Sequence, residues 1–213
     1  MKNPLPKQFW QLGNKMVIEW SLLKFCESTS CTNIVLVLPE IWMEEGKRRL
    51  SQTQLSGRVN FAIGGLKRED SVLSALNCVS ENEMVAIHDG ARPFVSSKLI
   101  SKLFARAHNK GNAVPILQAS DTIIYKKPKE VSYLNREKVF MIQTPQFFRA
   151  GTLRKAIEFF KENDFSGTDD SGMVKRMGDR IFYVKGSRWN QKLTVPEDMI
   201  FFRSSAKMVK HVI

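Results

Sequence analysis

The chain has 213 residues, 43% hydrophobic and 25% charged, which excludes a disordered polymer and gives enough length to bury a core without disulfides or a structural metal. Lys and Arg number 33 against 21 Asp and Glu, a net charge of +12, and such a surplus favours an anionic partner: nucleic acid, acidic lipid or phosphorylated small molecules. Three cysteines without a Cys-x-x-Cys, and only three histidines, argue against a disulfide framework or a zinc site. The longest apolar run, Ile34 to Leu38, is strand-sized, and the start, Met1-Lys-Asn-Pro-Leu-Pro, lacks the apolar core of a signal peptide. The expectation is a cytoplasmic protein with reduced thiols.

Apolar residues at Val17, Ile18, Leu22 and Phe25 predict a helix over 14–26. The run Ile34–Leu38, ended by Pro39, predicts a strand buried on both faces. A helix follows over 41–50, then a strand over 59–63 ended by Gly64-Gly65, and a helix over 71–79 with Val72, Ala75, Leu76 and Val79 on one side. The strand 84–87 runs into His88-Asp-Gly-Ala-Arg-Pro93; a helix over 98–109 and a strand over 113–117 come next. Residues 119–142 break the rhythm as short strands with a turn near Pro128-Lys129, a projecting β-arm. A helix over 152–162, a helix capped by the Thr168 hydroxyl, a strand over 180–184 and a helix from Pro196 to about Val209 complete the chain. The alternation predicts one α/β domain over 1–213 with a mostly parallel sheet sandwiched by helices.

Ligands of open α/β sheets bind beyond the carboxyl ends of the strands, and three turns there carry suitable residues. Gly64-Gly65 followed by a helix lets backbone approach a base or phosphate, although such a pair also serves as a plain turn. Asp89 can accept ribose hydroxyls or hold a hydrated cation, and Arg92 can fork onto a phosphate; the two can equally pair with each other and shape the loop. Lys192 and Thr194, at alternate positions of a strand, point the same way and can share one phosphate.

Taken in order, Pro6-Lys7-Gln8-Phe9, Gly64-Gly65 with Arg68 and Ser71-Val72, His88-Asp-Gly-Ala-Arg-Pro-Phe94, Asp121-Thr122-Ile123, Arg136 with Gln143-Thr-Pro-Gln146, Thr168-Asp-Asp170, and Asn190-Gln-Lys-Leu-Thr194 with Pro196-Glu-Asp198 resemble the 2-C-methyl-D-erythritol 4-phosphate cytidylyltransferase family over nearly the whole chain. The resemblance implies a Rossmann-like nucleotidyltransferase fold, with an arm that clasps a second subunit to make a homodimer. It implies a reaction in which the phosphate of a sugar alcohol attacks the α-phosphorus of CTP and diphosphate leaves, aided by Mg2+ or another divalent cation held mainly by CTP. It gives Lys7 the transition-state charge, Gly65 and Ser71 the cytosine, and Asp89 and Gly90 the ribose or hydrated metal. Arg92, Lys192 and Thr194 fall to the sugar-alcohol phosphate or hydroxyls, Thr168 to substrate hydroxyls, and Thr122 and Arg136 to the partner's site. No nucleic acid or membrane is implied. Two departures stand out. The family's opening strand and its loop Ala-Ala-Gly-x-Gly-x-Arg-Met would precede Met1, and Leu66 stands where members commonly carry Asp. A ribitol 5-phosphate cytidylyltransferase and an inactive nucleotide-binding remnant are the alternatives.

Overall fold

The computed structural model describes residues 5–28, 30–163, 165 and 169–209. A two-residue hairpin, β1 (Gln11–Leu12) and β2 (Lys15–Met16), leads into α1 (Val17–Glu27), which buries Val17, Ile18, Trp20 and Leu22. Glu19 Oε2 accepts the Met16 N–H at 2.6 Å, a one-way cap that helps fix where the helix starts. Next come β3 (Val35–Leu38), α2 (Met43–Ser51), β4 (Asn60–Ile63), α3 (Arg68–Leu76) and β5 (Met84–Ile87). α4 (Ser97–Lys110) is capped by Ser96 Oγ, which accepts the Leu99 N–H at 3.2 Å, and it stops at Gly111, whose φ of +89° suits glycine. The remainder is β6 (Asn112–Gln118), β7 (Ile123–Lys127), β8 (Glu130–Leu134), β9 (Phe140–Ile142), β10 (Gln146–Arg149), α5 (Ala150–Glu162), α6 (Asp170–Arg176), β11 (Tyr183–Lys185) and α7 (Asp198–Val209).

The α/β architecture is the expected one, but the sheet is mixed rather than mostly parallel. β3 pairs with β4 and β11 with β6 in parallel, whereas β10 lies antiparallel between β5 and β6, and β9 antiparallel on β6. The polar run Gln143-Thr-Pro-Gln146 hides β10 from a hydropathy reading; its Phe147 and Phe148 are buried on opposite faces. The four-strand order is β11-β6-β10-β5, and the second edges of β3 and β5 have no strand partner among the described residues. Helices line both faces: Phe148 packs with α3, α5 and α6 residues on one, and Phe147 and Val184 pack with α4 residues on the other. Each fully buried Phe or Leu contributes roughly 1.5–3 kcal/mol.

Within the 119–142 segment β7 and β8 pair as an antiparallel two-stranded ribbon turning at 128–129, with Ile124, Tyr125, Val131 and Tyr133 exposed. Thr168 lies outside the described residues; α6 is capped instead by Asp169, whose Oδ1 accepts the Gly172 N–H at 3.2 Å. No helix among the described residues is long and apolar enough to cross a membrane.

Candidate active site

The turn after β4 is folded tightly onto the start of α3. A Cβ on Gly64 would crowd Ser71 Oγ at 3.0 Å, and one on Gly65 would collide with the Asp70 side chain, so Gly65 above all has no room for a side chain. Asp70 accepts the Lys67 N–H at 3.2 Å and pairs with Lys161 at 2.7 Å, while Ser71 Oγ donates to the Lys67 carbonyl. Leu66 points into solvent.

From the same turn Arg68 reaches across to α6. Its two Nη atoms donate to both carboxylate oxygens of Asp170 at 2.7 and 2.6 Å, and Asp170 is fully buried. This fork-on-fork geometry is the strongest form of the pair. Beside it Asp169 binds Ser171 Oγ and accepts Gln146 Nε2 at 2.9 Å, so β10, α3 and α6 meet at one polar knot.

The turn after β5 is organised by His88. Its Nε2 lies 3.3 Å from the Arg92 carbonyl and its Nδ1 3.1 Å from Thr144 Oγ1. A carbonyl only accepts, so Nε2 carries the proton and Nδ1 accepts from the Thr144 hydroxyl, whose oxygen takes the Asp89 N–H at 3.0 Å. Burial pushes His88 down to about 4, so the ring is neutral at pH 7.

Asp89 is the hub that follows. Its Oδ2 accepts Arg92 Nε at 3.0 Å and lies 3.3 Å from Lys192 Nζ. Burial alone would raise its pKa; Lys192 and Arg92 outweigh burial and hold it below the usual carboxylate range. Arg92 also donates Nη1 to the Asn190 carbonyl at 2.9 Å and is largely buried. The internal Asp89–Arg92 pair is therefore present, with Arg92 Nη2 left free of protein partners among the described residues.

Lys7 arrives from a short helical turn over Lys7–Phe9, anchored by the buried Phe9, and its Nζ donates to the Thr194 carbonyl at 3.3 Å. Residues 190–194 are not a strand, contrary to the sequence reading. Leu193 N–H bonds to the Ala91 carbonyl, and the N–H groups of Thr194 and Val195 both donate to Asp198 Oδ2, at 2.6 and 3.0 Å. A carboxylate at the start of α7, rather than a neighbouring strand, holds this segment beside Asp89. The Thr194 hydroxyl donates to the Lys192 carbonyl, 3.2 Å away.

Lys7, Asp89, Gly90, Arg92, Lys192 and Thr194 thus converge beyond the carboxyl end of β5. A Cβ on Gly90 would stand 2.9 Å from Ile18 Cδ1, which seats this turn on α1. Gly65 and Ser71 line the adjoining turn after β4. Among the described residues no group of three or more acidic, His or Cys side chains could hold a metal ion.

The family model for 2-C-methyl-D-erythritol 4-phosphate cytidylyltransferase matches residues 1–206. The enzyme of that name from Halalkalibacterium halodurans is 35% identical over 92% of this chain and 86% of its own length. The Syntrophus aciditrophicus one is 33% identical over 97% of this chain and 90% of its own length. This chain belongs to the 2-C-methyl-D-erythritol 4-phosphate cytidylyltransferase family. The Thermus thermophilus member superposes with a TM-score of 0.80 at 29% identity, covering 96% of this chain and 95% of its own. The 4-diphosphocytidyl-2C-methyl-D-erythritol synthase of Anaerococcus prevotii superposes with 0.84 at 26% identity, covering 92% and 88%. It is a family of nucleotidyltransferases.

Within this cytidylyltransferase chain, Thr122 and Arg136 stand apart from the cluster. Thr122 is exposed just before β7, and the one side-chain hydrogen bond of Arg136 among the described residues runs from Nη1 to the Ser120 carbonyl at 3.4 Å. The residues that sequence reasoning gave no role are the buried polar Gln143, Thr144, Asn190 and Asp170, with the partly buried His88 and the Arg68 that pairs with Asp170. Gln143 Nε2 donates to the Ser187 carbonyl at 2.9 Å, and Asn190 Nδ2 to the Thr144 carbonyl at 2.7 Å. The polar Gln143-Thr-Pro-Gln146 run within an apolar stretch was the available signal.

Proposed function

We propose that this chain joins CTP to 2-C-methyl-D-erythritol 4-phosphate, giving CDP-methylerythritol and diphosphate. The observation that supports the reading is the clustering of Arg92 and Lys192 on Asp89 at the turn after β5, with Lys7 joined to the same 192–194 segment through the Thr194 carbonyl. A phosphate nucleophile is already anionic and needs no base, and the enclosed, neutral His88 is spent on holding the loop. Charge neutralisation and in-line positioning are what the cluster offers.

In this reading one oxygen of the alcohol phosphate forms a bond to the α-phosphorus of CTP as the bond to the β-phosphate oxygen breaks. Lys7 faces the charge that spreads over the α-phosphate. Gly65 and Ser71 lie against the cytosine, and Asp89 and Gly90 against the ribose. Arg92 Nη2, Lys192 and Thr194 receive the alcohol phosphate, and Thr168 its hydroxyls. A divalent cation such as Mg2+ fits as a companion of CTP: Asp89 is one carboxylate with Oδ1 unclaimed, a donor set suited to an ion that takes most of its ligands from phosphates and water. That ion would offset phosphate charge.

The arm supplies Thr122 and Arg136 to a partner subunit. Exposed Ile124, Tyr133, Phe140 and Met141 support a homodimer through this surface, since a lone two-stranded ribbon is marginal in water. Three free cysteines support a cytoplasmic setting. The experiment measures diphosphate release from CTP with methylerythritol 4-phosphate and ribitol 5-phosphate side by side. Preference for the first supports the reading. Preference for ribitol 5-phosphate, or CTP binding without turnover, contradicts it.

A further inference from the structure

α4 carries Lys98, Lys102, Arg106 and Lys110 at every fourth position and no acidic residue in its whole length. All four are exposed, and none has an ion-pair partner among the described residues. Like charges at that spacing repel along a helix. Of the exposed helical cations elsewhere, Lys47 and Arg48 of α2 are paired with Glu44 and Glu45, whereas Lys155, Lys175, Arg176 and Arg203 have no ion pair among the described residues but stand in no fourth-position row. Around Phe182 the positive charge thickens further, with Arg106, Lys110 and Arg180 all within 6 Å of the ring centre.

This stripe borders an open groove of about 420 Å³, lined from α4 by Lys102, Arg106 and Asn109 and from β11 by Tyr183, Val184 and Lys185. β11 is an edge strand. The Phe182 carbonyl and the Gly186 N–H bond to β6, so the alternate residues Tyr183 and Lys185 turn their N–H and C=O groups to the open side. Val184 packs with Leu99, Leu103 and Ala107, which places α4 over this edge. Lys185 alone would be an ordinary guard of an edge strand. A helical row of unpaired cations beside it is not explained that way.

We infer that the groove between α4 and β11 docks an extended acidic segment of a partner protein, added as a strand to β11. Two independent features select this occupant. The free edge offers main-chain hydrogen bonds, which an extended polypeptide satisfies with its own alternating N–H and C=O groups. Side chains on one face of such a strand recur about every 6.7 Å, and the α4 cations rise about 6 Å from one to the next. Carboxylates at alternate positions of the docked segment therefore keep step with Lys102 and Arg106. α4 buries its own apolar residues Leu99, Ile100, Leu103 and Ala107, so it has no greasy face to insert into a lipid surface. None of these residues belongs to the cluster around Asp89, so the inference stands apart from the proposed reaction.

The test is fluorescence anisotropy at low ionic strength with the whole chain and a short labelled peptide alternating glutamate and valine. Two competitors of equal charge are run beside it: the same peptide with prolines at the valines, which cannot complete the pairing, and an oligothymidylate. The inference predicts saturable binding of the alternating peptide and clearly weaker binding of both competitors. It also predicts a loss of about tenfold or more in the Lys102→Glu/Arg106→Glu variant, whose substitutions lie on the exposed face. Equal binding of the proline peptide would reduce the groove to a patch of charge and overturn the strand. Tighter binding of the oligothymidylate, no saturable binding, or an unaffected variant would overturn the inference as well.

Discussion

Lys7 holds its ammonium 3.3 Å from the Thr194 carbonyl, a contact with a neutral acceptor that an arriving phosphate can displace. A charge aimed at the α-phosphate matters most when negative charge spreads in the transition state. Lys7→Ala is therefore expected to lower kcat by roughly 10²–10³ with a much smaller change in KM for CTP. Steady-state kinetics at saturating alcohol phosphate measure the split, and an unchanged kcat would remove Lys7 from that role. His88 shows how a residue outside the chemistry sets its geometry. Burial depresses its folded pKa to about 4, against an ordinary 6.5, so the unfolded chain takes up the proton first as pH falls. Its contribution to stability is complete above pH 6.5 and declines toward pH 4, by at most about 3 kcal/mol. Denaturant melts at pH 7 and pH 4.5 should show that loss, with a shallower pH slope in His88→Gln. Asp89, whose pKa is lowered, adds its own loss only below the ordinary carboxylate range. A flat profile between pH 7 and 4.5 would mean that His88 is free to protonate in place.

At the level of elements, the site is two turns tied together by polar pairs, and the ties were the least legible part of the sequence. Arg68 at the start of α3 and Asp170 at the start of α6 are 102 residues apart, a separation that no local pattern bridges. Removing Arg68 strands a fully buried carboxylate, which costs about 3–5 kcal/mol in such pairs. Arg68 itself is 39% exposed, so the low end applies. Arg68→Ala should lose about 3 kcal/mol in chemical denaturation, and Asp170→Asn less, because it removes the charge along with its partner's role. Equal stability of Arg68→Ala and the parent would show that water replaces the guanidinium. The elements with strong periodicity were legible. The Met84–Ile87 strand matches its predicted bounds, and the 128–129 turn of the arm falls where Pro128-Lys129 pointed. β10 was not, because Gln146 and Arg149 interrupt its apolar pair, and neither was the capped, strandless 190–194 segment, where Asp198 does the work a neighbouring strand would do. The run Ile34–Leu38 reads as a strand buried on both faces, yet Val35, Leu36 and Val37 are only half-buried, with β4 on one edge alone.

For the whole molecule, the arm decides whether one chain suffices. Among the described residues the Arg136 side chain has one hydrogen bond, to the Ser120 carbonyl, and none to the cluster around Asp89. If Arg136 serves a partner's alcohol phosphate, its replacement by Ala should weaken that substrate's binding and spare CTP. Mixing two inactive variants, Arg136→Ala and Lys192→Ala, then gives half mixed dimers, each with one intact site, and activity near a quarter of the parent's. No recovery once subunit exchange is confirmed would assign Arg136 to its own subunit. The family was legible as ordered motifs across the chain, and it is from those motifs that Lys7, Asp89, Arg92 and Lys192 take their expected roles. How those residues are held was not, because the holding is done by buried polar contacts between distant segments. In the proposed reaction the alcohol's phosphate attacks the α-phosphorus of CTP. That step is tested most directly with methylerythritol 4-phosphate carrying oxygen-18 on its phosphate. The account predicts by phosphorus NMR that labelled oxygen bridges the two phosphorus atoms of the product and that the released diphosphate is unlabelled. Label in the diphosphate, or no bridged product at all, would contradict it.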